Sequence, residues 1–174
     1  MEMHGSRQIA APRAVVWAAL NDAEVLKSAI PGCQSLTGSP EEGFAAVVKQ
    51  KVGPVSATFE GQVRLSDVVP LEGYTIAGEG KGGAAGFAKG EAAVALADGE
   101  DGGTLLSYNV KANVGGKLAQ LGSRLIDGFA KKMADAFFEN FAVAVEPPAE
   151  AAVASGEEEG EKKAGWFRRV LGKG

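Results

Sequence analysis

The last thirteen residues, 162–174, read KKAGWFRRVLGKG and carry five bases and no acid. Placed on a helix at about 100° per residue, Trp166, Val170, Phe167 and Leu171 fill one sector of roughly 140°. Arg168, Arg169, Lys173 and Lys162 fill the opposite sector, and Lys163 lies off the pattern. Large apolar and aromatic groups on one side with bases on the other is the layout of a helix lying in a membrane interface. Each base near an anionic leaflet contributes about 1 kcal/mol, and each large apolar side chain about 1.5–3 kcal/mol when fully buried. After the cost of ordering, the expected result is reversible binding to an anionic membrane surface. Gly165, Gly172 and Gly174 weaken the helix in water, so it is expected to fold on contact. Docking on a protein partner or on the chain's own acidic spacer is the competing reading. The paired aromatics favour lipid.

Other chemistry is sparse. His4, the one histidine, lacks a convincing nucleophile partner, and a lone histidine cannot build a multi-histidine metal site. Cys33, the one cysteine, follows Pro31-Gly32 in an expected loop; it excludes an intramolecular disulfide framework, and no nearby histidine activates it. Gly82-Gly83 and Gly115-Gly116 do not match a phosphate-cradling loop. No catalytic residue, metal site or covalent cofactor is expected. Tyr74, Tyr108, Asn109 and Asn113 are candidates for polar contacts inside a cavity.

Charge divides the chain. Of the net −4 over 174 residues, segment 1–145 carries −3, segment 146–161 carries −6 and segment 162–174 carries +5. An acidic body argues against nucleic acid as a partner. The spacer 146–161, EPPAEAAVASGEEEGE, has one valine and no aromatic residue, too little apolar area to offset ordering entropy, so a flexible linker is expected. No run of about 18 apolar residues predicts a membrane span. The first residues do not read as a secretory signal. A cytoplasmic protein bound peripherally to the inner face of the cell membrane is expected.

Segment 1–145 reads as one domain. Residues 2–9 suit a strand. Pro12 opens a helix, and a second, about 22–29, starts at the capping pair Asn21-Asp22 and stops before Pro31-Gly32. From 43 to 113 the apolar period becomes two. Val55, Ala57, Phe59, Gly61, Val63 and Leu65 alternate with polar residues, the signature of a half-buried antiparallel strand. Further strands are expected at about 72–80, 87–97 and 104–113. Residues 115–145 then carry a stripe at three- and four-residue steps, which predicts one long amphipathic helix. The implied architecture is α+β: a curved antiparallel sheet around a long C-terminal helix.

Many positions on the inward strand faces are small: Ala46, Ala57, Gly61, Gly78, Gly90, Ala92 and Ala112. Such a sheet either packs closely on its helix or leaves an apolar hollow of the size that takes ligands. If hollow, its walls are expected to be Phe59, Val63, Tyr74, Ile76, Val94, Tyr108 and Val110 from strands, with Leu121, Leu125, Phe129, Met133 and Phe137 from the helix. Phe138 falls off the main stripe and is expected at a sheet edge or partner surface.

Four segments together carry a resemblance: Ile30-Pro31-Gly32-Cys33, Lys51-Val52-Gly53-Pro54-Val55, Gly86-Phe87-Ala88-Lys89-Gly90, and the run from Asn113 to Ile126, NVGGKLAQLGSRLI. In this order, segment 1–145 resembles the CoxG family of carbon monoxide dehydrogenase subunits, in the START-like (SRPBCC, Bet v 1-like) superfamily. The resemblance implies a helix-grip fold with a hydrophobic cavity. It also implies an accessory role beside a molybdenum carbon monoxide dehydrogenase, or a related molybdenum hydroxylase, and recruitment of that enzyme to the membrane. The enzyme must pass electrons to membrane quinone, whose isoprenoid tail is poorly soluble in water. A lipophilic ligand, quinone or lipid, is therefore expected in the cavity. A pure membrane anchor, a generic lipid carrier and a ligand-transforming START-like enzyme are the alternatives.

Overall fold

The computed structural model describes residues 1–147. Strand β1 (Glu2–Ile9) leads into helices α1 (Arg13–Leu20) and α2 (Ala23–Ala29). Six strands follow: β2 (Cys33–Ser39), β3 (Gly43–Val52), β4 (Val55–Val69), β5 (Gly73–Lys81), β6 (Phe87–Asp98) and β7 (Thr104–Gly115). Helix α3 (Ser123–Val145) follows. The strands form one antiparallel sheet in the order β1-β7-β6-β5-β4-β3-β2. Strands β2 to β7 are a meander, and β1 pairs with the last of them. The α1–α2 pair therefore carries the chain from one sheet edge to the other.

Local chemistry sets the helix ends. Pro12 precedes α1 with φ −63°, and the Asp22 carboxylate accepts the Glu24 amide at 2.9 Å at the start of α2. After α2, Gly32 takes φ +75°. This turn is tied to the end of β3: Lys49 N–H donates to the Gly32 carbonyl at 2.9 Å, and the Gln50 amide donates to the Pro31 carbonyl.

One end of the sheet is solidly packed. Val16 of α1, Leu106 and Thr104 of β7, and Phe141 of α3 are fully buried. Thr104 Oγ1 donates to the Ala11 carbonyl at 2.7 Å, so this buried hydroxyl is satisfied. The Asn140 amide donates to the Ala29 carbonyl at 3.1 Å and fastens α3 to α2.

Two expectations are corrected. Cys33 lies not in a loop but at the start of edge strand β2, paired with β3 from Cys33 opposite Val48 to Ser39 opposite Gly43. The segment CQSLTGS buries only Leu36, so it shows almost no alternation to read. The long helix does not begin at residue 115. Strand β7 runs on to Gly115, and Gly116–Leu121 is a 3₁₀ turn. Gly122 then takes φ +91° and ψ 154°, which only glycine adopts readily, before α3 starts at Ser123. Leu118 and Leu121, three residues apart, fit both 3₁₀ and α periodicity, so spacing could not separate the two.

The expected boundary between body and linker, after residue 145, lies close to the end of the described residues. Residues 148–161 of the expected linker lie outside the described residues. So does the whole expected membrane segment, with Lys162, Lys163, Trp166, Phe167, Arg168, Arg169, Val170, Leu171 and Lys173. Among the described residues, no helix is long and apolar enough to cross a membrane.

Candidate functional site: a two-lobed apolar hollow

Strand register decides where the small inward residues meet. Ala46 of β3 lies opposite Gly61 of β4, Gly61 opposite Gly80 of β5, and Gly80 opposite Ala88 of β6. In the adjacent row Gly78 lies opposite Gly90, and Gly90 opposite Ala112 of β7. Two adjacent rows therefore hold only glycine and alanine, one from β3 to β6 and one from β5 to β7. Helix α3 cannot close the gap, because the larger residues on either side of these rows hold it away.

The result is a hollow of two lobes that share Phe59, Tyr108, Val110, Phe137 and Phe138 as walls. The first, about 550 Å³, lies between α3 and strands β3, β4, β6 and β7. Ile126, Phe129, Met133 and Phe137 line it from α3, and Val48, Val52, Val114 and Leu118 from the sheet and the 3₁₀ turn. The second, about 540 Å³, reaches under α2 and the packed end, lined by Leu26, Phe44, Val63, Tyr74, Ile76, Val94 and Leu106 among others. Each lobe is within the 300–1,000 Å³ of small-molecule sites. In the first lobe the polar side chains are Gln50 and Tyr108. Gln50 directs one of its amide N–H groups to the Pro31 carbonyl.

Tyr74 is the outlier in the second lobe. Its side chain is buried, at 6% exposure, and its ring lies 5.5 Å from that of Trp17. Burial pushes its phenol far above the ordinary value. Among the described residues its hydroxyl has no hydrogen-bond partner, although buried polar groups are nearly always paired.

Tyr108 is held differently. Its ring stacks on Phe138 at 5.4 Å and passes over Gly5, where a Cβ would come within 2.6 Å of its hydroxyl. Phe138 packs edge-on against Phe137 at 5.1 Å, and the Arg7 guanidinium sits 5.1 Å from the Phe138 ring centre. Arg7 donates to Asp135 of α3, and Lys131 donates to the same carboxylate at 3.2 Å. The hydrogen bond from Arg7, with that from Lys131, holds the Asp135 carboxyl below its usual range. This latch of β1 to α3 closes one flank of the hollow.

Ten of the residues expected at the walls do line the hollow: Phe59, Val63, Tyr74, Ile76, Val94, Tyr108, Val110, Phe129, Met133 and Phe137. Leu121 and Leu125 do not. Leu121 belongs to the 3₁₀ turn, and Leu125, one turn before Phe129, reaches past the rim toward Gly53 and is 37% exposed. Phe138 lines both lobes rather than facing a partner, because Tyr108 and Arg7 draw it inward. Met3, Val48 and Ile126 are walls that sequence reasoning misses; strand alternation and the helical stripe carry the signal for them. His4 is exposed. Cys33 donates its thiol to the Ser35 carbonyl at 3.3 Å, and burial raises its pKa, the opposite of an activated thiolate.

The sequence model of the CoxG subunit of carbon monoxide dehydrogenase matches residues 5–146, nearly the whole described chain. The chain belongs to the CoxG family. Among solved structures, this CoxG-family chain is similar to a conserved protein from Geobacillus kaustophilus. The two share 29% identity at a TM-score of 0.78, over 83% of this chain and 95% of that one. A START superfamily protein from Mycobacterium smegmatis has the same fold at 15% identity and TM-score 0.62, over 83% of this chain and 97% of that one. Ara h 8.0201 aligns at 14% identity and TM-score 0.57, over 83% and 97% of the two chains. These last two likenesses establish the START-like fold. No curated protein matches the sequence.

Proposed function

We propose that this CoxG-family chain is a non-catalytic accessory protein of a molybdenum carbon monoxide dehydrogenase or a related hydroxylase. In this reading it holds a lipophilic ligand, a respiratory quinone, in the two-lobed hollow. Segment 162–174 binds the anionic inner face of the cell membrane and brings the enzyme to its electron acceptor. The observation that carries the reading is the pair of glycine and alanine rows, which leave an apolar space wide enough for a hydrocarbon chain. Tyr74 supports a quinone over a plain hydrocarbon. Its unpartnered hydroxyl is a donor in an apolar lobe, where a carbonyl oxygen would satisfy it. An isoprenoid tail would then run along Phe129, Met133 and Phe137 of the first lobe. The family supplies the enzyme partner; the hollow supplies the ligand class.

Organic extraction of the purified full chain, followed by mass spectrometry, tests the ligand. Quinone is the expected product. Only phospholipid or fatty acid would make the protein a generic lipid carrier, and an empty hollow would leave a pure anchor. Flotation with anionic liposomes, with and without residues 162–174, tests the anchor; unchanged flotation after deletion would remove the role of that segment.

A further inference from the structure

Three connections meet at the end of the sheet opposite the packed core. They are the β3–β4 turn at Gly53-Pro54, the β5–β6 turn at 82–86 and the 3₁₀ segment Gly116–Leu121. A Cβ on Gly53 would come within 3.0 Å of Leu125 Cδ1, and one on Gly116 within 2.6 Å of Gly86 Cα. The inward residues here, Val52, Ala88, Val114, Leu118 and Ile126, are walls of the first lobe, so the hollow runs out to this end.

The outward residues have a different chemistry. Lys51, Lys81, Lys117 and Arg124 are all exposed, and none forms an ion pair among the described residues. Segments 50–56, 80–89 and 114–126 contain no Asp or Glu. Carboxylates border this surface on two sides: Glu60, opposite Lys81, and Glu79 on the outer sheet face, and Asp127 on the flank toward β1. Between the bases two large apolar side chains face outward: Phe87, 43% exposed and lying across Gly115, and Leu125. Exposed Pro54, Gly83 and Ala84 add no polar side chain. Unpaired bases around an aromatic and an aliphatic group, at the open end of an apolar hollow, match an anionic lipid surface in both charge and polarity.

We propose that this end of the body docks on an anionic bilayer. Phe87 and Leu125 enter the headgroup region, and Lys51, Lys81, Lys117 and Arg124 meet lipid phosphates, so that the first lobe opens toward lipid rather than water. The contact is additional to segment 162–174. Its purpose, a dry path for the ligand, rests on the lipophilic-ligand reading.

The test uses the full chain carrying Cys33→Ser and one new cysteine with an environment-sensitive fluorophore. The label is placed at Ala84→Cys in the β5–β6 turn, or at Glu100→Cys between β6 and β7. The twelve residues of β6 separate the two sites by about 35 Å. With phosphatidylcholine vesicles containing phosphatidylglycerol, the label at 84 is expected to shift to the blue and to be quenched by lipid-borne spin label. The label at 100 is expected to stay as in water. Lys81→Gln with Lys117→Gln is expected to weaken the response at 84 about 25-fold at low salt, since each base near an anionic leaflet is equivalent to about fivefold. A water-like label at 84 on vesicle-bound protein would overturn the proposal, and so would a failure to bind vesicles at all. Shielding of position 84 only by added dehydrogenase would make this end a protein interface instead. Extraction of the same samples keeps the two readings apart: an inserted label with an empty hollow sinks the ligand, and a filled hollow with a wet label sinks the docking.

Discussion

Gly61 of β4 and Gly80 of β5 are directly paired across the ladder, and neither puts a side chain into the space in front of α3. A Cβ on Gly80 would touch nothing within 4 Å. This pair, extended by Ala46 and Ala88, is why the sheet and α3 enclose a volume instead of a core.

Filling that volume separates ligand binding from stability. Gly80→Val suits a strand and places its methyl groups in the first lobe, so the fold is expected to survive while co-purified ligand falls severalfold. Gly90→Ala is expected to behave oppositely. Its Cβ would collide with the Lys111 carbonyl, so overpacking costs about 1–3 kcal/mol in denaturant unfolding. Equal ligand content in wild type and Gly80→Val would show that the rows do not bound the site.

Tyr74→Phe removes the unpartnered hydroxyl and nothing else. The ligand-free protein is expected to gain about 1 kcal/mol, since an unsatisfied buried polar group is a cost. Retention of a quinone is expected to fall, while retention of an alkane of similar length stays unchanged. Thermal melts and competition binding read the two effects. Unchanged quinone retention would remove Tyr74 from the headgroup site.

Asp135 makes the β1–α3 latch pH-dependent. Its carboxyl is held below the unfolded value of about 3.9 by Arg7 first and Lys131 second. Its contribution is therefore complete above that value and is lost as pH falls through the lower folded pKa. Melting temperature in acid is expected to drop more steeply for wild type than for Asp135→Asn. Identical acid profiles would show that the latch carries no stability.

Two glycines near the start of α3 have opposite roles. Gly122 sits at φ +91° and ψ 154°, so Gly122→Ala is expected to cost about 1–3 kcal/mol by backbone strain alone. Gly128 lies inside the helix with open space around a Cβ, so Gly128→Ala is expected to stabilise by about 0.5–1 kcal/mol. Denaturant midpoints moving in the same direction would contradict the break at Gly122.

Sequence periodicity made most elements legible. The alternation from Val55 to Leu65 marks β4, Asp22 caps α2, and the stripe Phe129, Met133, Phe137 marks the inner face of α3. Each signal is local, because period and capping depend on a few neighbours along the chain. Strand β2 was illegible for the same reason: with Leu36 as its single buried residue, only the partner strand β3 explains it. Helix phase near the rim was also hidden. The turn at Gly122 sets which of Leu125 and Ile126 faces inward, and three-residue spacing on either side of it looks continuous.

By itself the sequence determined the α+β class, the wet and buried faces of strands β3 to β7, and the division of charge. These follow from residue type and short-range spacing. The tertiary structure alone decided that Gly61 meets Gly80, that Phe138 turns inward under Arg7, and that the Tyr74 hydroxyl has no hydrogen-bond partner among the described residues. Cross-strand register and helix placement bring together residues far apart in the chain. A small side chain makes a hollow only when its neighbours across the sheet are small as well.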